Sequence, residues 1–284
     1  MRISIFNDNR LGIVNSDRIH DVTSVLDALP ARRYPLPRHD LLIEALPELR
    51  ARLEQVARET PGIPLSEARL LSPIANPGKI VAAPVNYRKH LEEAIAEPET
   101  FSAAHVRRIQ ETGLFLKATS SLIGPSQAVR IRQSERRTDH EVELAVVIGR
   151  VCDRVTSFDA LSYVAGYTIG LDITVRGPEE RSMRKSIDTY TVLGPWIVTA
   201  DEIGDPANLE LAINVNDEPR QRANTRDLIL GIPELIAFAS SYYTLFPGDI
   251  LLTGTPEGVG PIRAGDTMHA DIERIGSMSV FVTD

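Results

Sequence analysis

The alternation of apolar and polar positions is sharpest from Asp139 to Gly149, DHEVELAVVIG. Val142, Leu144, Val146 and Ile148 alternate with Glu141, Glu143, Ala145 and Val147, which predicts a strand. Residues two apart in a strand point to one side, so Glu141 and Glu143 share a face at the head of a strand that should run into the core. Similar runs predict strands over 2–6, 11–14, 79–83, 163–172, 195–199, 209–215, 249–253 and 267–272. A three- and four-residue rhythm replaces the alternation at Leu41, Leu42, Ala45, Leu46, Leu49, Leu53 and Val56. It predicts a helix over 40–58, with Pro47 expected to kink or split it. A second helix, over 232–243, carries Pro233 at its start and Leu235, Ile236, Ala239 and Tyr243 on one face. The Pro-rich stretch 61–77 reads as a linker, so a small N-terminal domain with its linker (1–75) is expected before a larger domain (76–284). The fold class expected is strand-dominated α+β.

Composition narrows the functional classes. The chain has 284 residues, 43% of them hydrophobic, and a net charge of −8. That charge argues against a nucleic-acid partner, and the sequence holds no basic helix or zinc-ligand spacing. MRISIFNDNR lacks a basic segment followed by an apolar run, so it is not expected to act as a signal peptide, and no run is apolar enough to span a bilayer. The single cysteine, Cys152, excludes an internal disulfide and fits a cytoplasmic protein.

Several residues could carry chemistry. Two carboxylates side by side resist burial, and a hard divalent cation would compensate Glu141 and Glu143; a solvated strand end is the competing reading. Asp172 ends an apolar strand, as a third ligand or as a cap on the following turn. His90 and Glu93 are three apart and share a helical face, which suits a general base held by a carboxylate, or a plain surface pair. Lys117, Lys185 and Arg176 could grip an acidic substrate, or could be solvated charge. The run Thr253-Gly254-Thr255-Pro256-Glu257-Gly258-Val259-Gly260 lacks the phosphate-loop lysine, leaving an oxyanion cradle or a tight turn.

The segments NYRKHLEE, FLKATSSLIGP, DHEVELAVVIG, GYTIGLDITVR, KSIDTYTVLGPW and PELIAFASSYYTLFPGDILLTGTPEGVG, in this order from Lys79 onward, resemble the fumarylacetoacetate hydrolase family. The likeness is to its acylpyruvase-like and 2-hydroxyhepta-2,4-diene-1,7-dioate isomerase-like branch. The resemblance implies a mixed β-sandwich roll and a homodimer. It implies Mg²⁺ or Mn²⁺ on Glu141, Glu143 and Asp172. It implies a catalytic pair, His90 and Glu93, in a lid from about Leu91 to Gly113, with Lys185 as the active-site lysine. Tyr87, Lys117, Arg176, Gly254 and Thr255 fall among the substrate-contacting positions. Three positions depart from the family's usual pattern: Ile173-Thr174-Val175 between the third ligand and the arginine, Ala118 for a proline, and Glu179 for a glutamine that often touches substrate.

The expected activity is hydrolysis of a carbon–carbon bond in a 1,3-diketo acid of acylpyruvate type, the ion chelating the 2-oxo acid end and stabilising the departing enolate. His90 would activate water, Lys185 would stabilise charge and the Gly254-Thr255 turn would anchor a carboxylate. Isomerisation, decarboxylation or hydration of 2-oxo acids could use the same groups, and Glu179 leaves open a binding protein without catalysis.

Overall fold

The computed structural model describes residues 1–97 and 109–284. The chain opens with an antiparallel meander of β1 (Arg2–Phe6), β2 (Arg10–Asn15) and β3 (Arg18–Asp21). Asn7 and Asn9 take positive φ at the first turn, where the short amide side chain is tolerated. Helix α1 (Leu41–Glu59) follows, capped by the Asp40 carboxylate, which accepts from the amides of Leu42 and Ile43. Pro47 neither splits nor ends it. The proline forfeits one ladder bond, but Leu42, Leu46, Leu49, Leu53 and Ala57 bury against β1 and β2, and that apolar seam holds the helix together.

The Pro-rich stretch contains a strand, β4 (Gly62–Pro64), which pairs with β3. Beyond it lie β5 (Ile80–Ala82), α2 (Arg88–Ala96), α3 (Ile109–Thr112), β6 (Phe115–Lys117), β7 (Leu122–Ile123) and β8 (Val129–Arg130). Then come β9 (Thr138–His140), β10 (Val142–Ile148), β11 (Val164–Asp172), β12 (Thr174–Val175), α4 (Arg181–Lys185), β13 (Thr191–Thr199) and α5 (Ala200–Ile203). The chain finishes with β14 (Glu210–Val215), β15 (Glu218–Asn224), α6 (Ile232–Tyr242), β16 (Ile250–Leu252), β17 (Gly260–Pro261), β18 (Thr267–Ile272) and β19 (Gly276–Thr283).

Among the described residues the strands form three sheets. The large one runs β4-β3-β2-β1-β13-β11-β10-β16-β5-β6, with β7 beside β13. A second runs β15-β14-β18-β19-β8, and β12-β9-β17 make a small third. The N-terminal meander joins the large sheet through β1 on β13, although α1 gives it an apolar cluster of its own. No helix among the described residues is long and apolar enough to cross a membrane.

Strand β10 sits between β11 and β16 and is buried on both faces. Val142, Leu144, Val146 and Ile148 enter one apolar cluster, Ala145 and Val147 another. The strand end is therefore not solvated: Glu141 is 4% exposed and Glu143 is 1% exposed. Strands β15 and β19 go beyond the sequence expectation. β15 reads EPRQRAN, with no apolar alternation to mark it, yet Gln221 and Asn224 are buried.

Candidate active site

Three acidic residues meet where β10 and β11 lie side by side. Their register sets Val142 opposite Leu171, which brings Asp172 across from Glu141, and the Asp172 amide donates to the Glu141 carbonyl at 2.9 Å. One carboxylate oxygen from each of Glu141, Glu143 and Asp172 lies within 4.8 Å of the others, and all three residues are buried.

Cations serve two of the three. Lys185, at the end of α4, places Nζ 2.6 Å from Glu141 Oε2, 2.7 Å from Asp172 Oδ2 and 2.7 Å from Thr174 Oγ1. Lys117, on β6, bonds the other oxygen of Asp172 and the Tyr190 carbonyl. Arg176 donates from Nη2 to Glu141 Oε1 at 3.0 Å and from Nε to Asp139 Oδ2 at 2.7 Å. Burial alone would raise the Glu141 pKa, but Lys185 and then Arg176 hold this carboxyl well below the usual carboxylate range. Glu143 has a neutral donor, the Gly254 amide at 2.7 Å. Burial, followed by the Asp172 and Glu141 charges, pushes its carboxyl far up. A buried all-oxygen cluster with one member lacking an ion-pair partner among the described residues fits a hard divalent cation, which would supply the missing charge.

The turn after β16 ties this cluster to α2. Gly254 takes φ +100°, and a Cβ there would lie 2.7 Å from the Cβ of Asn86. Asn86 Nδ2 donates to the Thr253 carbonyl at 2.8 Å and to the Leu230 carbonyl at 3.0 Å. Four residues on, His90 Nδ1 lies 2.8 Å from Glu93 Oε2, and Glu93 Oε1 accepts from the Gly258 amide at 2.8 Å. A carboxylate on Nδ1 holds that proton there and leaves Nε2 as the basic nitrogen. One turn thus holds Glu143 by the Gly254 amide and Glu93 by the Gly258 amide.

Residues 79–283 match the profile of the fumarylacetoacetate (FAA) hydrolase C-terminal domain. The chain belongs to the fumarylacetoacetate hydrolase family. The maleylpyruvate hydrolase of Aquipseudomonas alcaligenes is 55% identical over 284 residues, spanning 99% of both chains. The crystal structure of the maleylpyruvate hydrolase of Sphingobium sp. SYK-6, in complex with manganese(II) ion and pyruvate, matches with TM-score 0.85 and 42% identity, covering 100% of this chain and 99% of that one. The 2-hydroxyhepta-2,4-diene-1,7-dioate isomerase structure from Mycobacterium marinum matches with TM-score 0.72 and 29% identity, covering 100% and 98%. The strand-dominated α+β fold expected from the sequence is borne out. So is the reading of the chain as a metal-dependent hydrolase.

Against the family pattern, three side chains have definite surroundings. Thr255 has its hydroxyl committed within the fold, donating to the Val142 carbonyl at 2.9 Å and accepting from Gln221 Nε2 at 2.8 Å. Glu179 is answered by Arg136, which meets it at 3.0 and 2.7 Å, and that pairing lowers its pKa. Tyr87 is buried with no hydrogen-bond partner for its hydroxyl among the described residues, and burial, then the Glu143 charge, keeps the phenol protonated. The stretch expected as a lid, Leu91 to Gly113, lies partly outside the described residues. Asp139 and Gln221 are buried site residues that the sequence reading missed. Asp139 adjoins the acidic motif, a usable signal, whereas nothing local distinguishes Gln221.

Proposed function

We propose that this chain hydrolyses maleylpyruvate, or a closely similar acylpyruvate, with Mn²⁺ or Mg²⁺ held by Glu141, Glu143 and Asp172. The observation that carries this reading is the convergence of three buried carboxylate oxygens within 4.8 Å, tied through one turn to the His90–Glu93 pair. Identity of 55% along nearly the whole length to a maleylpyruvate hydrolase supports the substrate class. When bound, the ion supplies Lewis-acid polarisation of the 2-oxo acid.

The chain's own residues do the rest. Glu93 orients His90, and His90 takes a proton from water through Nε2. The hydroxide oxygen bonds to the acyl carbonyl carbon. The bond from that carbon to the neighbouring methylene breaks, and its electron pair goes to the pyruvate half. The methylene carbon then takes the proton back from His90, giving pyruvate and, from maleylpyruvate, maleate. Lys185 lies against Glu141 and Asp172, where its charge can also steady the dicarbonyl as negative charge builds. Tyr87, Lys117, Arg176 and the Gly254-Thr255 turn shape the binding site, Arg176 by holding Glu141 in place.

The reading includes a homodimer in the cytoplasm, supported by the family resemblance and by the one buried cysteine. It also keeps residues 1–75 as a small N-terminal domain, supported by the separate apolar cluster between α1 and the meander. Light scattering measures the first, and expression of residues 76–284 alone tests the second.

The deciding experiment follows maleylpyruvate absorbance with and without Mn²⁺ and quantifies products. Pyruvate and maleate in equal amounts, only with metal, is the expected result. Absorbance loss with no pyruvate would replace hydrolysis by isomerisation.

A further inference from the structure

The backbone N–H and C=O of Val142, between Glu141 and Glu143, point to the side of β10 that faces β16. There Ala145, Val146 and Val147 pair with β16, and the Leu144 carbonyl still accepts from the Thr253 amide at 3.1 Å. At Gly254 the chain turns away, and the β16 ladder stops short of Val142. A buried peptide without partners is costly, so something must replace the missing strand.

Gln221, reaching across from β15 of the second sheet, does so. Its Oε1 accepts the Val142 amide proton at 3.1 Å and faces His140 Nδ1 at 3.2 Å. Its Nε2 donates to Thr255 Oγ1 and to the Pro256 carbonyl, each at 2.8 Å. Thr255 Oγ1 in turn donates to the Val142 carbonyl at 2.9 Å. Gln221 and Thr255 therefore close a ring with the N–H and C=O of the one residue that separates the two glutamates. Both hydrogens of the carboxamide are used, Oε1 accepts from the Val142 amide and lies beside His140 Nδ1, and Gln221 is 2% exposed.

We propose that Gln221 is a positioning residue for the metal centre. It sets the strand that carries Glu141 and Glu143 against the turn whose Gly254 amide holds Glu143, and so fixes the mutual placement of the ligand oxygens. The inference rests on the reading of Glu141 and Glu143 as ligands. A carboxylate is no substitute: Gln221→Glu keeps the acceptor contacts but turns an anion toward two oxygen atoms.

The test titrates Mn²⁺ into metal-free Gln221→Met and Gln221→Glu, reading free ion by electron paramagnetic resonance, and follows amide exchange over residues 139–145. The expected result is a Mn²⁺ dissociation constant about tenfold weaker or more in both variants, and faster exchange at Val142 in Gln221→Met. A lower melting temperature with unchanged Mn²⁺ affinity would mean a merely structural glutamine and overturns the proposal. Where Gln221→Met does not fold, the isosteric Gln221→Glu decides by the same titration. Glu143→Gln is measured alongside. If it still binds Mn²⁺ normally, the ligand reading fails and this inference with it; if it loses Mn²⁺ while the Gln221 variants bind normally, this inference alone fails.

Discussion

The amide of Gly254 donates to Oε2 of Glu143 across 2.7 Å. The glycine reaches that position with φ +100° and with Asn86 pressed where a side chain would begin. Gly254→Ala meets both obstacles, a left-handed backbone that costs about 1–2 kcal/mol and a clash with Asn86. The expected outcome is weaker Mn²⁺ binding together with loss of hydrolysis, measured by ion titration and by pyruvate release.

His90 and Glu93 are tied to the same turn, through the Gly258 amide on Glu93. His90→Ala is expected to keep Mn²⁺ affinity while kcat falls roughly 10²- to 10⁴-fold, the usual worth of a general base. Glu93→Gln should give a smaller loss of kcat, because the imidazole stays but its orienting charge goes. Near-normal turnover in His90→Ala would remove it from water activation.

Lys185 bridges Glu141 and Asp172, at 2.6 and 2.7 Å. Lys185→Met leaves Glu141 with Arg176 and Asp172 with Lys117, so the loss is that of charge-assisted hydrogen bonds, about 1.5–3 kcal/mol. The metal-free variant should melt well below the parent, and saturating Mn²⁺ should recover part of the gap. Calorimetry with and without Mn²⁺ reads both effects, and an unchanged metal-free melting temperature would contradict the charge assignment.

Far from the site, Arg50 on α1 meets Asp201 on α5 at 3.1 and 2.8 Å, and its hydrogen bonds hold the Asp201 carboxyl well below the usual range. Its folded-state pKa is thus lower than its unfolded one. The stabilisation is present above the unfolded value, about 3.9, and is lost as pH falls toward the folded value. Both side chains are substantially exposed, so Asp201→Asn should cost less than about 1 kcal/mol at pH 7, and the difference should shrink steadily below pH 4. Urea unfolding across that range measures it.

Much of the fold was legible because its signals are local. The apolar run in DHEVELAVVIG, the rhythm of α1 and the proline at the start of α6 are each carried by residues of the element itself. Strand β15 was not legible, since its place in a sheet comes from backbone pairing with β14 and not from any apolar pattern of its own. Pro47 does not split α1, because its cost is local while the packing that offsets it comes from β1 and β2.

For the site, the sequence alone determined the chemistry on offer: Glu141 and Glu143 on one face, an aspartate ending a neighbouring apolar strand, a His–Glu pair at helical spacing. Only the tertiary structure decided that these groups converge, that Glu143 is the carboxylate served by a neutral amide, and that Arg176, Thr255 and Glu179 are held by Asp139, Gln221 and Arg136. The physical reason is reach. Strand and helix periodicities say which side a residue faces, whereas a hydrogen bond from β15 to β10 joins residues 79 positions apart and leaves no trace at either end.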